Sequence, residues 1–125
     1  LLELKEIKPA KRVARIAAEK SINTEYDRLS AAIPSRSLLI VLDERGDRWS
    51  TQQLANAMKE WSAHGVHLCF VIGGADGLSN ELKQRADVLL QLSTMTLPHG
   101  MVRVLLVEQL YRAMTILNKH PYHRE

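Results

Sequence analysis

Ser37-Leu38-Leu39-Ile40-Val41-Leu42 is a near-continuous apolar run, and it constrains the fold more than any other stretch of the chain. A strand with one wet face alternates apolar and polar residues, whereas a run without alternation needs cover on both faces, as in the interior of a parallel sheet. His67 to Ile72 repeats the pattern, and Asp87-Val88-Leu89-Leu90-Gln91-Leu92 reads as a shorter third strand. Helical signals fall between these runs. Ser50 and Thr51 are N-cap candidates for a helix that carries Leu54, Ala57, Met58 and Trp61 at helical spacing and stops at Gly65; another helix starts near Ser79, and a long one runs from about Gly100 to Asn118. Strands alternating with helices predict an α/β fold with a mostly parallel sheet flanked by helices. Asp43 to Asp47 is predicted as the loop after the first of these strands, and Met58 and Trp61 as core residues.

Upstream, Leu2-Glu3-Leu4-Lys5-Glu6-Ile7 alternates, as a strand with one wet face would, and Ala10 to Ala32 reads as a solvated helical region broken near Ser21 to Thr24 and ended by Pro34. A chain of 125 residues buries about two-thirds of the surface its unfolded form exposes, enough for one core and not for two. We therefore expect a single domain over residues 1–125. The apolar runs fall far short of the ~20 residues that span a bilayer, and the chain does not open on a charged-then-apolar leader. Both point to a cytoplasmic protein with no membrane partner. The single Cys69, inside the apolar run 68–72, is expected to be a buried, inert thiol. Seventeen Lys and Arg against fourteen Asp and Glu, a net charge of +3, permit a nucleic-acid partner without identifying one.

Candidate sites follow from what lies beyond the strand ends, where open α/β sheets bind ligands. Gly73-Gly74-Ala75-Asp76-Gly77 matches neither the dinucleotide fingerprint nor the phosphate loop, and alone it reads as a turn more readily than as a ligand wall. The stretch Ser93 to His99 is uncharged, and with Leu92 it offers apolar side chains and free backbone groups. Such a wall suits a nucleoside without phosphates. Leu42, at the end of its own strand, would form a third wall, although Leu42, Leu92 and Leu97, each taken alone, read better as core.

On the last helix, a 3.6-residue wheel aligns Glu108, Arg112 and Thr115 in a polar stripe with Gln109 beside it. Arg103 falls roughly opposite, among Leu106, Val107, Leu110 and Met114, where a guanidinium needs an anion or strong acceptor: a structural ion pair, or a polar site at a subunit interface. A helix so apolar around its circumference predicts a homodimer formed through it. Lys119, His120, Tyr122, His123 and Arg124 crowd the end of the chain. That is either a frayed terminus or a set of proton-handling, stacking and phosphate-binding groups of the kind an RNA-modifying site uses. His64-x-x-His67 and His120-x-x-His123 lack the further ligands zinc requires, so no metal is expected. No Ser-His-Asp or Cys-His constellation stands out.

Val71-Ile72-Gly73-Gly74-Ala75-Asp76-Gly77-Leu78, Leu92-Ser93-Thr94-Met95-Thr96-Leu97-Pro98-His99, the helix Met101 to Ala113 and the ending His120-Pro121-Tyr122-His123-Arg124-Glu125 together resemble the ribosomal RNA large subunit methyltransferase H family. The resemblance covers about the last two-thirds of the chain, in order; Leu2 to Ala32 resembles the family only loosely. It implies a SPOUT-type α/β fold with a C-terminal trefoil knot, a homodimer packed through the knot region, and S-adenosylmethionine as cofactor. The implied activity is methylation of the ring N3 of a pseudouridine in large-subunit ribosomal RNA on the assembled ribosome. Carried over by position, the implied cofactor residues are Leu42, Gly73, Leu92, Ser93, Thr94, Met95, Thr96 and Leu97. In that chemistry His99 and the tail residues Tyr122, His123 and Arg124 are candidates for taking the target's proton or holding it, and Arg103 or Arg112 for an electrostatic clamp. Family members begin with a further strand and helix, about 30 residues in such units, and the expectation is that this chain starts after that unit. Two other readings stay open: a SPOUT enzyme acting on another RNA nucleotide, and a non-catalytic relative that binds the cofactor or RNA.

Overall fold

A computed structural model describes residues 30–34, 36–73 and 80–119. The predicted strand Leu2–Ile7 and nearly all of the helical region before Ala32 lie outside the described residues. The described elements are β1 (Ser37–Arg48), α1 (Thr51–Ala63), β2 (His67–Ile72), α2 (Asn80–Arg85), β3 (Val88–Gln91) and α3 (His99–Leu117). The three strands form one sheet in the order β2-β1-β3, and both pairings are parallel.

The central place of β1 accounts for its unbroken apolar run. Leu39 and Val41 face one side, in a cluster with Val71 and Leu82. Ile40 and Leu42 face the other, in a cluster with Leu54, Ala55, Leu90, Leu106, Leu110 and Ala113 from α1, β3 and α3. Ile40 and Val41 are fully buried, so neither parity of the strand has a wet face. Asp87 fastens the entry to β3: its N–H donates to Leu39 O at 2.8 Å, and its Oδ2 accepts from Leu39 N–H at 2.7 Å.

The loop predicted over Asp43 to Asp47 is instead part of β1, which runs on to Arg48. Leu42 pairs with Leu90, and after a register shift Asp47 pairs with Leu90 and Arg48 with Gln91. The chain leaves β3 and returns to it, and Gly46 makes the return possible. A Cβ at Gly46 would stand 2.6 Å from Leu89 C and from Leu90 N, so the backbones approach more closely than any side chain allows. The excursion is held by Gln91 Nε2 donating to Glu44 O at 2.7 Å and by Lys83 Nζ lying 3.5 Å from Asp43 Oδ1. Its charged residues face outward, which is why it reads as a loop in sequence.

α1 begins as expected. Ser50 Oγ accepts from Gln53 N–H at 3.1 Å and Gln53 Oε1 accepts from Ser50 N–H at 2.7 Å, a reciprocal capping box. Gly65, at φ 65°, ends the turn after the helix in the left-handed region. Met58 and Trp61 pack against the core from its edge and stay half-buried. Trp61 lies 6.1 Å from Trp49, ring centre to ring centre. Cys69 is half-buried rather than buried: its strand, β2, is the edge neighbour of β1 among the described strands, and the thiol packs at the margin of the Leu39 cluster. Among the described residues no helix is long and apolar enough to cross a membrane.

Candidate functional site

Parallel pairing sends all three strands to the same edge, and the register sets how they arrive. Leu42 is paired with Ile72 on one side and Leu90 on the other. Gly73 therefore leaves β2 one residue beyond Leu42's level, and Leu92 leaves β3 two residues beyond it. Leu42 and Gly73 sit on adjacent strand ends, and Leu92 flanks them on the opposite side. Leu42 is buried within the core cluster, and Leu92 packs half-buried against that cluster. Residues 74–79, the rest of the glycine loop, lie outside the described residues.

Beyond β3 the chain turns outward. Leu92, Ser93 and Leu97 are half-buried, Thr94 and Thr96 are exposed, and Met95 is 76% exposed, the most exposed of the large apolar side chains described. Ser93 Oγ accepts from Met95 N–H at 3.0 Å and shapes the turn. Among the described residues, those at 93–97 exchange no backbone-to-backbone hydrogen bond. Apart from the Met95 N–H, held by Ser93 Oγ, these backbone groups look to water, to a ligand or to the rest of the chain for their partners.

A cavity of about 360 Å³ opens beside this loop, lined by Trp49, Thr51, Leu90, Gln91, Leu92 and Gln109 among others. Its polar groups are neutral hydroxyls and amides, next to leucines and one indole. With no charged side chain in it, that lining suits an uncharged heterocycle and its sugar better than a phosphate, whose charge only the start of α1 at Ser50 and Thr51 would meet. Trp49, Thr51, Gln91 and Gln109 line this cavity without being assigned by the sequence reading, and of the expected cofactor residues only Leu92 is in its wall. Ser50 and Thr51 carry a cap signal and Gln109 a place beside the polar stripe, but only the packing of α1 on α3 brings them to the end of β3.

α3 carries the candidate arginines. Leu106, Leu110 and Ala113 are buried in the core, while Val104, Val107, Tyr111 and Met114 form an exposed apolar face. The polar stripe is not fully solvated: Thr115 is buried and donates to Arg112 O at 2.6 Å. Glu108 Oε1 accepts from Arg112 Nε at 3.0 Å and from its Nη2. Arg103 is half-buried beside the exposed apolar face, one turn before Val107. Arg103 and Arg112 stand nine positions apart on one helix, about two and a half turns, so they project from opposite sides and one protomer's helix does not bring them together. His99 opens α3, whose first turn is closed by Pro98 O accepting from Met101 N–H and Val102 N–H at 3.0 and 3.1 Å. Tyr122, His123 and Arg124 lie outside the described residues. His64 and His67 are both exposed, and among the described residues no three His, Cys, Asp or Glu side chains cluster as a metal site would require.

The comparisons with known proteins agree on one family. The family described as "Predicted SPOUT methyltransferase" matches residues 1–123. The chain is 68% identical over 124 residues to "Ribosomal RNA large subunit methyltransferase H" of Chromobacterium violaceum, covering 99% of this chain and 80% of that protein. It is 65% identical, with the same coverage, to the protein of the same name from Laribacter hongkongensis. Against that from Neisseria meningitidis serogroup C the identity is 56% over 122 residues, 98% of this chain and 78% of the relative.

Proposed function

The chain belongs to the SPOUT methyltransferase family, and on that premise we propose that it methylates the ring N3 of a pseudouridine in large-subunit ribosomal RNA, on the assembled ribosome, with S-adenosylmethionine as methyl donor. The names of relatives as much as 68% identical support the reaction. The single observation that carries the site is the register of β1, with Leu42 between Ile72 and Leu90, so that Leu42, Gly73 and the loop Leu92-Ser93-Thr94-Met95-Thr96-Leu97 share one edge of the sheet.

These residues fit the donor chemically. Apolar side chains and neutral amides accept an adenosine without phosphates, and backbone groups of residues 93–97 other than the Met95 N–H supply its polar edge. Bound there, S-adenosylmethionine would supply an electrophilic methyl group, with the neutral thioether S-adenosylhomocysteine as the leaving group. The target imide nitrogen is a poor nucleophile until it loses its proton. His99 and His123 are the proton acceptors of this reading, with Tyr122 and Arg124 holding the RNA beside them. Arg103 or Arg112 steadies the anion that deprotonation leaves on the ring.

The chain works as one domain over residues 1–125, its C-terminal segment threaded as a trefoil knot, and as a homodimer. The exposed face of Val104, Val107, Tyr111 and Met114 is the surface that dimerisation covers. A substrate of this kind locates the protein in the cytoplasm, with the ribosome as partner and no metal needed for the transfer.

Methyl transfer from labelled donor, compared between intact ribosomes and free ribosomal RNA and followed by mapping of the label, tests the reading. Label on a pseudouridine N3, with ribosomes preferred, is the expected result. Label on another nucleotide would reassign the target. A folded protein that binds no S-adenosylmethionine in a calorimetric titration would not be an enzyme of this kind.

A further inference from the structure

The polar edge of α3 is linked to the start of α1 through side chains that the reaction as read above leaves unused. Thr51 donates from Oγ1 to Gln109 Oε1 at 2.6 Å, and Gln109 donates from Nε2 to Glu108 Oε2 at 3.0 Å. The other carboxylate oxygen, Oε1, accepts from Arg112 Nε at 3.0 Å and from its Nη2. Chemistry fixes the direction of the chain of bonds. A carboxylate only accepts, so Gln109 must turn its NH2 to Glu108, which leaves its carbonyl to accept the hydroxyl of Thr51. Both ends of the link are held. Thr51 is the first residue of α1, next to the Ser50–Gln53 capping box, and Thr51 and Gln109 line the cavity together with Gln91 and Leu92.

The ion pair by itself would not hold its geometry. The Arg112 and Glu108 side chains are 27% and 31% exposed, and an i,i+4 pair so open to water restrains its two long side chains weakly. What distinguishes this pair is that the second carboxylate oxygen is tied to an amide that is tied in turn to a capped helix end. We propose that Gln109 and Thr51 are positioning residues, which set the plane of the Glu108 carboxylate and through it the direction of the Arg112 guanidinium, one turn along α3 from the cavity wall. The proposal rests on the reading of Arg112 as a cation that steadies the anionic target. It also links what fills the cavity to the aim of that cation, since Gln109 belongs to both.

The test uses the full chain with Thr51→Val, Thr51→Ser, Gln109→Met and Arg112→Ala. Three quantities are read: the nitrogen-15 Nε–H signal of Arg112, the thermal midpoint, and kcat and KM for transfer to ribosomes that lack the methyl group. Thr51→Val and Gln109→Met should lower kcat about tenfold or more, the scale of a misaimed group, with KM and midpoint little changed. The Arg112 signal should move toward that of a solvated arginine. Thr51→Ser keeps the hydroxyl and should restore both signal and kcat, and neither Thr51→Val nor Gln109→Met should add to the loss in an Arg112→Ala background. An Arg112 signal indifferent to Gln109→Met overturns the proposal whatever the transfer rate, as does a kcat within about twofold of wild type in both variants. Full transfer by Arg112→Ala would instead remove the role of Arg112 itself, and the Arg112 signal tells that failure apart from a failure of the link.

Discussion

Replacing Gly46 by Ala tests the least expected part of the fold, the return of β1 onto β3. The added Cβ would lie 2.6 Å from Leu89 C, 2.6 Å from Leu90 N and 2.7 Å from Leu90 C. Ordinary contact begins near 3.4 Å, so the strands must part by most of an ångström. The obstructing atoms are all backbone of a paired strand, and no flexible side chain can swing away. Overpacking of this kind destabilises by about 1–3 kcal/mol, and for a chain of this length each kcal/mol lowers the thermal midpoint by about 4 °C. A fall of about 4–12 °C is expected. Parting the strands also strains the 2.7 Å bond from Gln91 to Glu44 O and moves Gln91 and Leu90 in the cavity wall, so affinity for S-adenosylmethionine should fall as well. Two other glycines provide controls. Gly65→Ala meets nothing within 4 Å but sits at φ 65°, and should cost about 1 kcal/mol from backbone strain alone. Gly100→Ala also meets nothing and lies within α3, so it should stabilise by about 0.4–1 kcal/mol. Melts at one fixed protein concentration, with calorimetric titration of the donor, read all three. A Gly46→Ala variant as benign as Gly100→Ala would refute the close approach of β1 to β3.

Three further changes probe other parts of the structure. Asp87→Ala removes the acceptor of Leu39 N–H and should destabilise by about 1–3 kcal/mol in urea unfolding, as an unsatisfied backbone donor does, whereas Asp87→Asn, which keeps an acceptor oxygen, should lose less. Ser50→Ala removes the cap of α1 and should lower stability by about 1 kcal/mol in the same assay. Val107→Asp places a charge on the exposed apolar face of α3; on the proposed dimer, sedimentation should give a dimer for the wild-type chain and a monomer for the variant, and transfer activity should fall with the mass.

The sheet was legible because its central strand is buried on both faces. Ser37 to Leu42 could not be a surface strand or an amphipathic helix, and His67 to Ile72 began and ended at the residues its pattern indicated. The start of α1 was legible because Ser50 and Gln53 carry a local cap code. What escaped the sequence depends on approach between distant residues. Asp43-Glu44-Arg45 looks like a loop because outward-facing charge is common to loops and to strand excursions, and Gly46 explains itself only against the backbone of Leu90. Likewise Thr51 and Gln109, 58 positions apart, share no signal; the packing of α1 on α3 makes them neighbours. Cys69 was expected to be deeper than it is because an apolar run does not say whether its strand is central or flanking.

The two arginines of α3 pose a geometric problem that one protomer does not solve. Arg112 lies on the polar stripe linked to the cavity, and Arg103 lies on the opposite side, bordering the exposed apolar face. A target ring that needs both must be reached by Arg112 from one helix and by Arg103 from another. The proposed two-fold dimer, packed through Val104, Val107, Tyr111 and Met114, would supply the second helix, because an isologous interface brings each residue bordering the patch to the edge of the partner's patch. Mixing decides the matter. When Arg103→Ala and Arg112→Ala protomers are unfolded together and refolded as hybrids, a shared site leaves one of the hybrid's two sites with both arginines, and transfer recovers to a level neither parent reaches. Sites built within single protomers leave every hybrid site one arginine short, so activity that stays at the mean of the two parents would show that no site draws Arg103 and Arg112 from different protomers.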